Sequence, residues 1–281
     1  MRCQKLKLGI VFAVTVMCAS AQWLNYPTPG TPRTKDGKPN LSAPTPRTSN
    51  GKPDLSGVWQ LEPPAPGELE RKIGDVSTFA VPGDDPREFS PYFFNILADF
   101  KREDAPLRPE AAAVFGMHAK AFGRDHPSSR CLPLGIPGTE LISFPFKIVQ
   151  TPGLMVMMYE TDNSHRQVYT DGRPLPVDPQ PSWQGYSVAK WEGDTLVAET
   201  AGFNDKSWLD IFGHPHSEAL KIRERFRRRD FGHMELQITI EDPKTFTKPF
   251  TITVNHLLIP DSDILETVCE NERDRAHIAD K

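Results

Sequence analysis

From about Leu141 to about Glu270 the chain sets apolar against polar residues at every second position, in short runs separated by turns. That period is the signature of strands with one wet and one dry face. Tyr186 to Phe203 reads as two strands joined at Glu192-Gly193-Asp194, with Val188, Trp191, Leu196 and Val197 suited to a half-buried pleat. Further strands are expected over Phe146 to Thr151, Leu154 to Glu160, Arg166 to Thr170, Leu220 to Arg228, Met234 to Glu241, Phe250 to Leu258 and Ile264 to Cys269. On the first long pair, Ile222, Glu224 and Phe226 alternate with Arg223, Arg225 and Arg227. A turn at Asp230 to Gly232 then sets Arg227 opposite Glu235 and Lys221 opposite Glu241. Opposite charges facing across a pair explain the basic row as a solvated face. Strand after strand with short turns predicts a mainly β protein, an antiparallel barrel, since closure removes exposed edges.

Upstream the period changes. Ser90-Pro91 is a helix start, and Phe93, Ile96, Leu97 and Phe100 follow at helical spacing. A second helix is expected from Pro109, ending by Gly123, with Ala111, Phe115, His118 and Phe122 inward. This insert lies between a first strand, Leu55 to Leu61, and the remaining strands, and suits a cover over one barrel mouth. Before it, TPRTKDGKPNLSA (31–43) returns as TPRTSNGKPDLSG (45–57), rich in proline and turn dipeptides. The arm is either a solvated spacer or a strap lying on the barrel or on a protein partner. The expected organisation is a leader at 1–21, the arm at 22–56, a first strand plus helical insert at 57–140, and the barrel at 141–281.

Residues 1–21 carry a basic start (Arg2, Lys5, Lys7), an apolar run from Leu8 to Met17 and Ala19-Ser20-Ala21 before Gln22. That is the pattern of a secretory signal, too short to span a bilayer. The chain carries 33 basic and 37 acidic residues, a net −4; without the three leader bases it is 30 against 37, or −7. An acidic balance argues against nucleic acid as a main partner. Export makes Cys131 and Cys269 candidates for a disulfide; the alternative is two buried free thiols.

Glu224 is the residue of greatest chemical interest, because its strand places it between Ile222 and Phe226 on the dry face. A carboxylate there needs a partner or a proton. His256 alternates with Ile252 and Val254 and is expected to face the same interior. Glu224 and His256 therefore form a candidate catalytic pair for cofactor-free acid–base chemistry, or a structural pair that fixes register. Arg166, Glu160 and Glu199 are further candidates for ligand contact, with Trp183 and Tyr186 at a mouth for aromatic or sugar-like molecules. His214-Pro215-His216 with Glu218 has a metal-like look in a loop that collects histidine by composition. No zinc-protease, nucleophile-elbow, haem, phosphate-loop or dinucleotide motif is present, so no metal or cofactor is expected.

Gly57-Val58-Trp59 resembles the Gly-x-Trp element opening the first strand of lipocalin-type barrels. The resemblance implies a tryptophan plugging one barrel end beneath a basic side chain from a late strand. PDLSGVW, CLPLGIP, YTDGRPLP, WEGDTLVAET and CENERD together resemble a group of exported bacterial proteins without an assigned activity. That resemblance implies export and carries no catalytic residues. The leading reading is an exported barrel holding a small apolar or aromatic molecule in its interior. A cofactor-free lyase, isomerase or hydratase in the same cavity, and a scaffold docking through the arm, are the alternatives.

Overall fold

The computed structural model describes residues 26–74, 89–120, 125–267 and 269. Its centre is a closed barrel of nine strands: β1 (Gly57–Leu61), β2 (Phe146–Thr151), β3 (Leu154–Tyr159), β4 (His165–Tyr169), β5 (Tyr186–Glu192), β6 (Thr195–Ala201), β7 (Lys221–Arg228), β8 (His233–Glu241) and β9 (Phe250–Leu258). Neighbours in sequence are neighbours in the barrel, and β1 closes the ring against β9. Lys221 faces Glu241 and Arg227 faces Glu235, the register the charge pattern requires.

Two expectations are corrected. The barrel is mixed, because β4 and β5 run parallel. Two strands in one direction need a crossover, and the connection 170–185 supplies it. Residues Ile264–Thr267 form no strand, since β9 already fills the place beside β1.

Alternation sends one face of every strand inward. Trp59, Met155, Met157, Val168, Ala198, Phe226, Leu236 and Ile238 are each 0% exposed. Among the described residues these inward side chains cluster as one packed core. The ends are covered differently. At one end Trp59 lies beneath the Arg228 guanidinium, 4.9 Å from its ring centroid. That is the arrangement the Gly-x-Trp resemblance implies.

The arm crosses this same end as a strap. Its two copies fold alike: Thr34 and Thr48 donate from their amides to Lys38 and Lys52, and Arg33 and Arg47 donate to the Gly37 and Gly51 carbonyls. Each arginine then forks onto a barrel carboxylate, Arg33 onto Asp261 and Arg47 onto Asp194. The repeat is thus a pair of carboxylate clamps, and the strap arrangement is the one the chain adopts.

The insert covers the opposite end. It contains α1 (Glu68–Ile73), α2 (Pro91–Phe94) and α3 (Pro109–Lys120). Ser90 caps α2 by accepting from the Tyr92 amide, but the helix expected through Phe100 stops at Phe94. Asn95 is extended (φ −143°), and Asp210 takes the Ile96 amide at 2.6 Å. Ile96 and Leu97 are nonetheless buried, and Phe100 meets Phe250 edge-on. In α3 Ala111 is buried, Phe115 stacks on His214, and His118 donates to the Gly213 carbonyl. Phe122 lies outside the described residues. A disulfide joins Cys131 to Cys269, and no described helix is long and apolar enough to cross a membrane.

Candidate functional site

The covered end of the barrel holds a buried polar cluster organised by Arg166 of β4. Its strand parity aims the side chain inward, where all five N–H groups find acceptors. Nε donates to Ser187 Oγ on β5 at 2.9 Å, and Nη2 to Thr200 Oγ1 on β6 at 2.7 Å. Both terminal nitrogens donate to Glu224 on β7, Nη1 to Oε1 at 2.8 Å and Nη2 to Oε2. Nη1 also reaches Glu140 Oε1 at 3.3 Å. Burial works against the guanidinium's charge, but Glu224 outweighs it and raises the Arg166 pKa. The bidentate fork on a carboxylate is the strongest form such a pair takes.

Glu140 is the member that periodicity missed. It sits in a turn at Gly138–Glu140, ahead of β2, and is 1% exposed. Tyr159 Oη donates to its Oε1 at 2.9 Å, while Oε2 has no partner. Burial and then the charge of Glu224 raise its pKa well above the ordinary glutamate value. One cation cannot neutralise two carboxylates in a dry interior. Glu140 therefore keeps its proton, and Glu224 carries the negative charge against Arg166.

Glu224 and His256 are both buried at 0% exposure, as their strand positions predict. They do not form the expected acid–base pair. His256 Nε2–H donates to the Glu140 main-chain carbonyl at 3.0 Å, and its Nδ1 has no partner. Burial lowers the His256 pKa to about 4, so the ring is neutral. Register separates the two along the strands: Glu224 pairs with Ile238 and that with Ile252, four residues before His256. Glu160 and Glu199 are not in this interior. Glu160 accepts from the Leu265 amide, and Glu199 pairs with Arg223 on the outer face. His214 and His216 serve separate partners, Asp210 and Ser207.

Trp183 and Tyr186 come together on the outside of the wall, while the Arg166 side chain is turned to the inside. A cleft of about 410 Å³ opens over the seam between β4 and β5, with the strand from His165 to Gln167 in its floor and Trp183, Gln184 and Tyr186 along its side. Tyr169 stacks on Tyr186 with centroids 5.3 Å apart, and Arg173 lies 3.8 Å over the Tyr169 ring. The seam explains the opening: it registers only Val168 with Ser187 and Tyr169 with Val188. Below those pairs the strands have no shared ladder and the chain from Ser182 to Gly185 forms the facing wall.

The fold and site define a closed, mixed nine-strand β-barrel with a packed lumen, a buried Arg–Glu keystone and an aromatic cleft at its parallel seam. Comparison with family models, with curated proteins and with solved structures found no match.

Proposed function

We propose that this chain is an exported ligand-binding barrel, and that its ligand is a small aromatic or sugar-like ring held in the cleft over the β4–β5 seam. The observation that carries the reading is the convergence of Trp183, Tyr186 and the Arg166 strand on one concave surface. Aromatic faces beside amide and hydroxyl groups, here Gln184 and Ser164, are the usual composition of a site for flat, partly polar molecules. The packed lumen moves the ligand from the interior to this wall. It also removes support from acid–base chemistry at Glu224, which has Arg166 for a partner and no space for substrate. Docking of an outside protein through the arm loses support because Arg33 and Arg47 already hold barrel carboxylates. The basic-then-apolar leader and the disulfide support export.

Titration with indole and with methyl glucoside, followed by amide shifts in NMR spectra, tests the site. At least one probe should shift residues 182–186 saturably, and Trp183→Ala should weaken it by about tenfold, ~1.4 kcal/mol of ring contact. Saturable binding that Trp183→Ala leaves unchanged, or no shift with either probe, overturns the proposal.

A further inference from the structure

A second cleft lies at the strap end of the barrel, remote from the β4–β5 seam. It encloses about 710 Å³ between the strap, from Tyr26 to Thr31 with Pro46, and the barrel residues Val58, Val149 and Leu258. Arg228 closes its inner end. This side chain is 5% exposed and every acceptor it has is a main-chain carbonyl. Nη1 donates to Asp54 O at 2.5 Å and more weakly to Ser56 O; Nε donates to Phe231 O and Asp230 O; Nη2 donates to Phe231 O. Among the described residues no carboxylate forms an ion pair with it.

The contrast with Arg166 is instructive. There a carboxylate neutralises the buried guanidinium. Here carbonyl dipoles and the faces of Trp59 and Phe231 solvate the charge, and the Asp54 and Asp230 carboxylates offset it without bonding to it. Burial accordingly lowers the Arg228 pKa to about 10. A buried cation with no carboxylate bonded to it is costly, and an anion brought into contact relieves that cost. Guanidinium suits a carboxylate, and Nη2 retains one N–H without an acceptor. Apart from Asp54 the rest of the surface is chiefly apolar: Val58, Val149, Leu258 and Ile259, with Tyr26 exposed at the rim. Lys147, also on this surface, is occupied by Asp263 at 2.8 Å.

We propose that this cleft binds an amphipathic monocarboxylate, its head against Arg228 and its apolar body along Val58, Val149 and Leu258 beneath the strap. The clamps of Arg33 on Asp261 and Arg47 on Asp194 hold the roof over the bound chain.

Isothermal titration with dodecanoate, with dodecyltrimethylammonium as the equal-length cation, tests the assignment. Dodecanoate should bind at one site per chain, and the cation at least tenfold more weakly. Val149 is half-exposed, so Val149→Glu should fold normally while weakening dodecanoate about tenfold by placing a charge in the apolar path of its chain. Trp183→Ala, at the seam cleft, should leave dodecanoate unaffected. Arg228→Gln should weaken dodecanoate, and if that variant does not fold, Val149→Glu decides alone. Equal affinity for both head groups, indifference to Val149→Glu, loss with Trp183→Ala, or no saturable binding each overturn the proposal.

Discussion

Replacing Arg166 by methionine removes the one cation of the buried cluster while keeping an unbranched side chain of similar reach. The loss falls unevenly. Ser187 Oγ and Thr200 Oγ1 lie 2.9 Å apart and keep each other as partners. Glu140 Oε1 keeps Tyr159. Glu224 loses the donors to both of its oxygens and remains at 0% exposure. Breaking a buried pair on one side costs about 3–5 kcal/mol, and urea midpoints at pH 7 should show a loss of that size. Removing the stranded charge as well, in Arg166→Met with Glu224→Leu, should recover most of it. A loss under about 1 kcal/mol at pH 7, or no recovery in the double variant, refutes the keystone role.

Two further outcomes follow from the same cluster. Glu140 is protonated in the fold, through burial and then the charge of Glu224, so wild-type stability should decline as pH rises through its raised value. Glu140→Gln should flatten that alkaline limb in urea melts; identical slopes in the two proteins rule the protonated state out. His256 is held neutral by burial with its pKa lowered to about 4, so its contribution is present above the unfolded value and lost as pH falls through about 4. NMR titration of its ring should show no transition above pH 5, and an ordinary transition near 6.5 contradicts the buried neutral ring.

What could be read in the sequence was what a two-residue period encodes. That period, with charges opposed across a hairpin, specifies the β7–β8 register and the inward direction of Glu224 and His256. It does not say which inward groups meet, because that depends on stagger around the ring; hence Glu224 found Arg166 and not His256. Glu140 carries no such signal. It sits in a turn, where side-chain direction follows the loop path and not a repeat. The parallel sense of β4 and β5 is equally hidden, since strand direction is decided by the route of 170–185. At α2 the apolar spacing was genuine, but the helix stops at Phe94. Ile96 and Leu97 reach the core from separate turns, because Asp210, distant in sequence, captures the amide the helix needed.

The keystone and the seam cleft have a common origin. The antiparallel joints of this ring register at three to eight positions, while β4 and β5 register at two near one end. A barrel with so short a ladder at one joint needs another tie there. Arg166 supplies it by reaching from β4 to Ser187 on β5, Thr200 on β6 and Glu224 on β7, bridging on the inside what the main chain leaves open. On the outside the same missing ladder leaves the space that Trp183 and Tyr186 line. A ring bound in that space would brace the seam from the wet side as Arg166 does from the dry side. Occupancy should then slow amide exchange at 185–187 in particular, a consequence that a ligand attached elsewhere on the barrel has no reason to produce.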